Sequence, residues 1–314
     1  MKKRVEGCKR NLSFENKVVW ITGASSGIGE ALTYAFARKG AKLILSSRNK
    51  KALENVKNNC AETRNEIHLL PLDLSKLKTL NKKAKKAFSI FGRIDVMVHN
   101  AGLALRDLVV NTDIQIDKKI MDINYFAAVV LTKAVLPSML KRESGHFLVI
   151  SSVSGKYGVP KLSAYSASKH ALHGFFDSLR AEVAKDNIKI TMVVPGFVRT
   201  NITVNTLKGD GTRYGKHMQV QEKGLDPSTV ATKILEKAGK NKEEVLIGRL
   251  ELLAVYCKRF FPVLFSKIIR NHPIERIRSL KSFFSLKKYL FKRAYRKAHL
   301  SPPPLTQTLT GQAE

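Results

Sequence analysis

The sequence predicts an α/β fold with a doubly wound parallel sheet of about seven strands and a basic helical extension at its C-terminus. Between residues 17 and 248, short apolar runs alternate with longer segments of helical periodicity. Strands that alternate with helices form parallel sheets with helices on both faces. The runs 96–98 and 147–150 are apolar throughout, as strands buried on both faces should be.

The predicted elements alternate in order along the chain. Strands are predicted at 18–21, 42–45, 67–71, 94–99, 146–151, 188–194 and 244–247. The main helical segments are 30–38, 50–64, 77–91, 127–141, 164–184 and 227–238. The strands are short and apolar, whereas the helices repeat their apolar residues with helical periodicity. Together they predict one doubly wound domain over residues 14–248.

The segments that flank this domain are strongly basic. The chain has 56 Lys and Arg residues against 25 Asp and Glu residues, and its net charge of +31 attracts nucleic acid, an acidic membrane surface or a phosphorylated ligand. We expect a basic N-terminal arm at 1–13, a basic amphipathic extension at 249–300 and a loose tail at 301–314. Residues 240–300 hold sixteen Lys and Arg residues against four Glu residues.

The cysteine content and the hydropathy pattern predict a cytoplasmic protein. Cys8, Cys60 and Cys257 are odd in number and far apart, which suits neither a disulfide framework nor a zinc site. No apolar run of signal-peptide length follows the basic N-terminus, and no stretch of eighteen apolar residues predicts a transmembrane helix. The eight histidines lack metal-ligand spacing, so no metal site is predicted.

The first predicted strand leads into a helix through a glycine-rich turn, Thr22-Gly-Ala-Ser-Ser-Gly-Ile-Gly29. Glycines at such a turn let the backbone approach a pyrophosphate, and the unpaired amides of the helix N-terminus hold its negative charge. A glycine-rich turn without a ligand has the same local pattern. The position of this turn, first in a long alternating series, favours a dinucleotide site.

A series of motifs over residues 14–248 resembles the short-chain dehydrogenase/reductase family. In order, the motifs are Thr22-Gly23 with Gly27 and Gly29, His99-Asn100-Ala101-Gly102, Asn124, Ser152, Tyr165 with Lys169, and Pro195-Gly196. The one departure is His99, where the family usually has Asn. The resemblance implies a Rossmann-type domain and an oxidoreductase that moves a hydride between a nicotinamide and a carbonyl/alcohol pair.

The resemblance assigns catalysis to Asn124, Ser152, Tyr165 and Lys169. We expect the Lys169 ammonium and the bound nicotinamide to lower the pKa of Tyr165, so that its phenol exchanges a proton with the substrate oxygen. Ser152 is expected to orient that oxygen. By resemblance, Asn124 would hold a water that links Lys169 to solvent.

The Tyr-x-x-x-Lys pattern occurs twice, so spacing alone does not select the catalytic tyrosine. In the first copy, at 157–161, Gly158 and Pro160 interrupt the helix. In the second copy Tyr165 and Lys169 lie in a continuous helical pattern, where residues four apart are neighbours. Ser152 ends the preceding strand, at the edge where open α/β sheets bind ligands. These features favour Tyr165 over Tyr157, and a buried structural phenol is the alternative.

The cofactor is predicted to be NADP(H). A carboxylate after the second strand would bind the ribose 2′-hydroxyl of NAD, whereas an Arg accommodates the 2′-phosphate of NADP. Residues 46–49 are Ser-Ser-Arg-Asn, so Arg48 can contact the phosphate with Ser46 or Ser47 as hydrogen-bond donors; a solvated Arg48 is the alternative. The predicted cofactor residues are Gly23, Ser25, Ser26, Gly27, Ile28, Gly29, Ser47, Arg48, Asn49, Asp73, Leu74, Asn100, Ala101, Gly102, Tyr165, Lys169, Pro195, Gly196, Val198 and Thr200.

The substrate is expected to contact Ser152, Tyr165 and Phe197. The segment 197–225 mixes apolar residues with basic ones, which suits a small lipid-like or aromatic carbonyl compound with an acidic group. Its glycines, Gly209, Gly211 and Gly215, suit equally a mobile lid whose charges are merely solvated. Both interpretations stay open.

Residues 250–298 are predicted to contact an anionic membrane surface. Apolar residues dominate 252–269 with charges at helical spacing, and Pro262 predicts a kink. A second cluster at 281–297 mixes aromatic residues with cations. Packing on the domain or on a partner subunit is the alternative. The extension is similar to that of the family branch whose reductases act on acyl-glycerone phosphate and related lipid carbonyls.

Two other classes of function remain as alternatives. A nucleic-acid-binding protein on a dinucleotide fold would use the positive charge, but no nucleic-acid motif appears, so no such partner is expected. An NADP(H)-binding sensor without activity would not need the full catalytic set. The oligomeric state stays open between a homo-oligomer, which the resemblance implies through helices around 113–141 and 164–186, and a monomer on a membrane.

Overall fold

The computed structural model describes residues 13–60, 65–216 and 219–270 of the chain. Most of the predicted N-terminal arm (1–12), the extension beyond residue 270 and the predicted tail at 301–314 lie outside the described residues. The strands are β1 (Val18–Thr22), β2 (Lys42–Ser46), β3 (Ile67–Leu69), β4 (Val96–His99), β5 (Gly145–Ile150), β6 (Ile188–Pro195) and β7 (Glu244–Ile247).

Helices connect these strands. They are α1 (Gly27–Ala37), α2 (Lys50–Asn58), α3 (Leu77–Phe91), α4 (Ile114–Met121), α5 (Ala127–Lys141), α6 (Ser163–Glu182), α7 (Gln219–Glu222), α8 (Pro227–Gly239), α9 (Leu252–Phe260) and α10 (Pro262–Arg270). A π-helical turn, Asp122–Phe126, joins α4 to α5, and short 3₁₀ turns lie at Val109–Asn111 and Val153–Gly155.

The strands form one seven-stranded sheet in the order β3-β2-β1-β4-β5-β6-β7, and every neighbouring pair is parallel. The predicted doubly wound α/β fold is therefore confirmed. The strand order reverses between β1 and β4. In open α/β sheets this reversal opens a crevice beyond the carboxyl ends of the strands, where ligands bind.

Apolar side chains cover both faces of the sheet. One core includes Phe36 of α1 and Ile234 of α8, and the other includes Trp20, Phe147 and Phe176. A chain of hydrogen bonds within these layers links β1, β2 and the residue that follows β3. Trp20 Nε1 donates to Ser46 Oγ at 2.9 Å, and Ser46 Oγ donates to the carbonyl of Leu70 at 2.7 Å. Ser46 is therefore held inside the sheet, which leaves Ser47 as the phosphate donor of the two serines predicted as alternatives.

Several predicted element boundaries are wrong, and α1 begins at Gly27 rather than at residue 30. α2 ends at Asn58 rather than at residue 64, because residues 59 and 60 form a turn. β3 ends at Leu69 rather than residue 71, and β4 begins at Val96 rather than residue 94. Leu70 and Ile94 lie outside the strands yet are buried in the core. The amide of Leu70 still donates to the carbonyl of Leu45 at 2.9 Å, so the backbone pairing with β2 continues past Leu69.

The segment after β7 contains two helices instead of the one kinked helix that the sequence predicts. α9 ends at Phe260 and α10 begins at Pro262. Proline fits the first position of a helix, where its missing N–H has no intrahelical partner. The compact unit that contains the sheet runs through Phe260, beyond the predicted domain boundary at residue 248, and a second unit begins at Phe261.

Within the described residues, one helical stretch is long and apolar enough to cross a membrane. It runs over Ile114–Lys141 with a mean hydropathy of 1.5, and this assessment rests on length and composition only. Its residues Ala127, Leu131, Val135 and Met139 are buried in the core beside the sheet. Core helices of this kind pass the same test, so the stretch is weak evidence for a membrane span.

Candidate active site

The glycine-rich turn between β1 and α1 is shaped so that its backbone can touch a ligand. Gly23 and Gly27 have positive φ angles of 67° and 60°, which side chains disfavour. A Cβ on Gly23 would lie 2.8 Å from the Cα of Ala101, and a Cβ on Gly29 would overlap the carbonyl oxygen of Gly23. The turn therefore has no room for side chains at these positions.

Asn100 fixes the turn from the neighbouring strand. Its Nδ2 donates to the carbonyls of Thr22 and Gly23 at 3.0 and 3.1 Å. Thr22 Oγ1 in turn donates to the carbonyl of Val98 and accepts from the amide of Asn100. These bonds join the ends of β1 and β4 across the point where the strand order reverses.

The N-terminus of α1 suits a phosphate group. Ser26 occupies the cap position in an extended conformation and makes no side-chain cap hydrogen bond. Thr200, from the segment after β6, lies beside Gly27, where an added Cβ would come within 3.0 Å of its methyl group. The first amides of a helix attract anions. The turn, the helix end and the segment after β6 thus fit a dinucleotide along the carboxyl edge of the sheet.

The residues after β2 lie where the adenosine end of a dinucleotide would be recognised. Arg48 is exposed, and its charge reaches Asp73 in the segment after β3. Burial raises the pKa of Asp73, but hydrogen bonds from Ser75 and the charge of Arg48 outweigh it and hold the pKa below its ordinary value. Asn49 accepts from the amide of Ala52 and caps α2, so its side chain already has a structural role.

The proposed proton-transfer residues meet at the carboxyl end of β5. Lys169 Nζ donates to the carbonyl of Ile150 at 2.8 Å and lies 5.7 Å from the centroid of the Tyr165 ring. The hydroxyl of Ser152 lies near enough to the phenol of Tyr165 to lower its pKa. The amide of Ser154 donates to Ser152 Oγ at 3.2 Å, which fixes the serine at the start of the 3₁₀ turn. One face of α6 and the end of β5 therefore bring these three side chains together.

Burial dominates the electrostatics of this group. It raises the pKa of Tyr165, which the hydroxyl of Ser152 only partly offsets, and it lowers the pKa of Lys169 to about 8. The sequence-based expectation was the opposite shift for the phenol. That expectation counted the charges of Lys169 and of a bound nicotinamide but not the removal of the phenol from water. In the chain by itself Tyr165 thus holds its proton at neutral pH.

Asn124 lies in the π-helical turn between α4 and α5 and is buried, with 3% of its surface exposed. Its Nδ2 donates to the carbonyl of Leu103 and to Ser168 Oγ, both at 2.9 Å, and its Oδ1 accepts from the amide of Leu103 at 2.8 Å. Both amide hydrogens are therefore used within the protein. The expected relay water cannot depend on donation from this side chain, and the residue's contacts instead fix the loop after β4 against α6.

A small cavity lies beneath Lys169 and Asn124. Its lining is partly polar and partly apolar and includes Thr22, Ala101, Ile150 and Leu172. Among the described residues, no cluster of three or more His, Cys, Asp or Glu side chains is placed to hold a metal ion.

Comparison with known proteins shows to which family this chain belongs. A family model described as short chain dehydrogenase matches residues 17–210. A dehydrogenase/reductase SDR family protein 7-like of Anopheles gambiae is 44% identical over 77% of this chain and 78% of its own length. The chain belongs to the short-chain dehydrogenase/reductase family. The members of this family are oxidoreductases. The resemblance that the sequence motifs indicated is therefore confirmed.

Two further relatives agree with this assignment. Dehydrogenase/reductase SDR family member 7B of Mus musculus is 41% identical over 82% of this chain and 81% of its own length. The structure of an alcohol dehydrogenase from Thermococcus sibiricus, complexed with 5-hydroxy-NADP, has a TM-score of 0.64 and 28% identity; the match covers 75% of this chain and 97% of that one.

Sequence reasoning did not predict a polar network that lies beside the predicted catalytic residues on α6. His173 Nε2 lies 3.0 Å from Ser151 Oγ, and His173 Nδ1 lies 3.8 Å from a carboxylate oxygen of Glu244, which also pairs with Lys156. Burial, followed by the charge of Lys156, lowers the pKa of His173 to about 4, so the ring is neutral. The position of His173, four residues after Lys169 on α6, was the available signal.

His99, which stands where the family usually has Asn, does not disturb the contacts of the glycine-rich turn. His99 Nε2 lies 2.8 Å from Thr132 Oγ1, and the ring stacks on Phe147 in the core. Burial lowers its pKa to about 3, so it is neutral. Asn100, the next residue, keeps the contacts with the glycine turn that were described above.

The segment after β6 is hydrogen-bonded to the loop after β4. Leu207 exchanges backbone hydrogen bonds with Ala104 and Arg106 at 2.9 and 2.8 Å, and the amide of Gly209 donates to Asp107 Oδ2 at 3.0 Å. These bonds hold the central part of the segment against the loop after β4. Phe197, at its start, is 40% exposed. Residues 217 and 218 lie outside the described residues.

Proposed function

We propose that the protein is an NADP(H)-dependent oxidoreductase that transfers a hydride between the nicotinamide and the carbonyl/alcohol carbon of an apolar, lipid-like substrate. One observation carries the proposal: Lys169 Nζ lies 5.7 Å from the centroid of the Tyr165 ring at the end of β5, on the same edge of the sheet as a glycine turn that fits a dinucleotide. When bound, the nicotinamide supplies or accepts the hydride.

The residues of the chain provide the proton and hold the substrate oxygen. Tyr165 donates its phenolic proton to the carbonyl oxygen during reduction, and its raised pKa keeps that proton available at neutral pH. The ammonium of Lys169 then stabilises the phenolate that remains. Ser152 hydrogen-bonds the same substrate oxygen and orients it. Phe197 and the apolar part of the segment after β6 contact the rest of the substrate.

The preference for NADP(H) over NAD(H) is assigned to Arg48. Residues 46–49 contain no carboxylate to bind a ribose 2′-hydroxyl, and Arg48 is exposed at the end of β2. A guanidinium binds phosphate through paired, charge-assisted hydrogen bonds. The complex of the Thermococcus relative with 5-hydroxy-NADP is consistent with this choice. Arg48→Ala should weaken NADPH binding by about tenfold and leave NADH binding unchanged in a fluorescence titration.

Turnover by matched tyrosine variants tests the proposed mechanism. The full chain is assayed for NADPH oxidation with a panel of apolar ketones, retinoids, steroids and acyl-glycerone phosphates. Tyr165→Phe should lower kcat by at least about a hundredfold with NADPH affinity unchanged. Tyr157→Phe, in the other Tyr-x-x-x-Lys sequence, is the control and should keep kcat within a few-fold. Turnover by Tyr165→Phe at the wild-type rate would contradict the proposal.

We also propose that α9 and α10 lie on an anionic lipid surface, from which an apolar substrate is drawn. On α9, Leu253, Tyr256 and Phe260 recur at helical spacing and are 63%, 50% and 67% exposed. α10 likewise exposes Leu264 and Ile268. Both helices end in cations: Lys258 and Arg259 on α9, Lys267 and Arg270 on α10. An exposed apolar helix face bordered by cations matches the chemistry of an acidic bilayer. A second copy of the chain would bring a like charge of +31 and be repelled.

Vesicle co-sedimentation tests this surface. Binding is measured with phosphatidylcholine vesicles that either contain or lack about one-third phosphatidylserine, at low and high salt. We expect binding to the anionic vesicles only, weakened by salt and abolished in Leu253→Asp/Phe260→Asp. Val110→Asp, at an exposed apolar residue of the 3₁₀ turn after β4, is the control and should still bind. The proposal would be overturned if the α9 variant sedimented with anionic vesicles as much as the wild type does. It would also be overturned if light scattering showed wild-type dimers that dissociate in the variant.

A further inference from the structure

Glu251, directly before α9, reaches the start of the segment that follows β6. Its Oε1 accepts a hydrogen bond from the amide of Phe197 at 3.1 Å. A Cβ on Gly196 would overlap the same oxygen, and a Cβ on Gly248 would lie 2.8 Å from it. Glycine at 196 and 248 therefore leaves room for the carboxylate to lie against the backbone.

The turn that Glu251 holds is also bonded from its other side. The carbonyl of Phe197 accepts from the amide of Leu225 at 2.9 Å, and Gly224 packs closely against Phe197. With the bond from Glu251, both backbone polar groups of Phe197 have partners. The orientation of the Phe197 side chain, which is 40% exposed, thus depends on a residue of the C-terminal extension.

The charge of Glu251 also reaches Tyr157. Burial raises the pKa of Tyr157, and the negative charge of Glu251 raises it further. Tyr157 follows the 3₁₀ turn at Val153–Gly155. The carboxylate therefore acts on Tyr157 as well as on the turn that carries Phe197.

We propose that Glu251 is a positioning residue: it fixes the Gly196–Phe197 turn and so sets the shape of the substrate cleft. Through it the extension after β7 becomes part of the catalytic unit and not only an attachment to a surface. This inference rests on the proposed function in one respect, the contact between Phe197 and the substrate. Glu251 touches neither the hydride nor the proton, so its loss changes substrate binding and leaves the chemical step intact.

Steady-state kinetics of Glu251 variants test the role. Glu251→Ala should raise KM for the carbonyl substrate by about tenfold, with kcat within about twofold and NADPH affinity unchanged, because a hydrogen bond to a charged acceptor is lost. Glu251→Gln keeps an acceptor oxygen at the same place and should restore KM to within about threefold. Glu243→Ala, which removes an exposed carboxylate just before β7, is the matched control. An unchanged KM in Glu251→Ala, or a KM in Glu251→Gln as high as in Glu251→Ala, would overturn the proposal.

Hydrogen exchange provides a readout that does not need turnover. The amide of Phe197 should exchange at least about tenfold faster in Glu251→Ala than in the wild type, and Glu251→Gln should restore its protection. If the wild type reduced no carbonyl, the proposed function would fail while this measurement still tested the contact. Equal exchange in all three proteins would show that Glu251 does not hold the turn.

Discussion

The carboxyl edge of the sheet and helix α9 differ in the kind of side chain that they bury and expose. At the edge, polar side chains are buried and bonded: Lys169 is 4% exposed and donates to a backbone carbonyl, and Asn124 uses both amide hydrogens within the protein. On α9, apolar side chains such as Leu253 face outward. Burying polar groups costs free energy unless they are paired, and exposing an apolar helix face forgoes the gain from burial. Each region departs from the ordinary pattern, and we propose that the first does so for catalysis and the second for contact with a lipid surface.

The largest effect expected from a single methyl group is at the glycine turn. In Gly29→Ala the new Cβ would overlap the carbonyl oxygen of Gly23, a backbone atom that cannot rotate away. We expect dinucleotide binding to become undetectable by fluorescence titration. Gly174→Ala is the matched control, since nothing lies within 4 Å of its Cβ position on α6. It should stabilise the protein by about 0.5–1 kcal/mol and leave binding intact. Normal binding by Gly29→Ala would show that the turn is not the phosphate site.

The sequence predicts the local geometry at the carboxyl edge of the sheet well because the constraints on that geometry are local. The glycine spacing reflects a backbone that must turn without side chains, and the Tyr165–Lys169 spacing reflects one turn of helix. The contacts of Asn124 could not be predicted in the same way. They depend on a π-helical turn that brings the loop after β4 beside α6, a geometry with no periodic signature. The environment of Tyr165 was missed for a similar reason, since burial is set by elements distant in sequence.

Residues that join distant segments were also beyond the reach of sequence patterns. His173 meets Ser151 and approaches Glu244 only because β5, α6 and β7 come together behind the site. Glu251 contacts Phe197 across more than fifty positions of the chain. The predicted start of β4 was wrong because the core extends past the end of the strand, at Ile94. In each case, tertiary packing rather than local propensity decides the outcome.

Lys169→Met tests whether the buried charge of Lys169 lowers the free energy of unfolding. Lys169→Met should lower kcat by at least about a hundredfold, because the phenolate formed at Tyr165 loses its cation. The same change should raise the free energy of unfolding at pH 7 by about 1 kcal/mol. The pKa of Lys169 falls to about 8 in the folded chain, so the folded state disfavours its charge, and the lost hydrogen bond to Ile150 offsets only part of that gain.

The pH dependence of the wild type follows from the same residue. Lys169 is charged at pH 7 and loses its proton as the pH rises through about 8, so the reductive rate should fall above that pH. The destabilisation from its buried charge is fully present below pH 8 and diminishes above it. Urea unfolding and kcat, measured from pH 6 to 9, check both statements. Lys133→Met, an exposed lysine on α5, should change neither quantity. If Lys169→Met were less stable than the wild type at pH 7, the proposed destabilisation by the buried charge of Lys169 would be contradicted.

The smallest change in stability is expected for substitutions on α9. Its size tests whether the packing of this face of α9 contributes to the stability of the fold. Leu253→Ser should change the free energy of unfolding by less than about 0.5 kcal/mol in urea without lipid, because the side chain is largely exposed already. Leu131→Ala, at a fully buried position on α5, should cost about 2–5 kcal/mol in the same assay. With anionic vesicles present, Leu253→Ser should lose affinity although its stability is unchanged. If Leu253→Ser instead destabilised the protein as much as Leu131→Ala, this face of α9 would already be covered within the chain, and the contrast between the two regions would disappear.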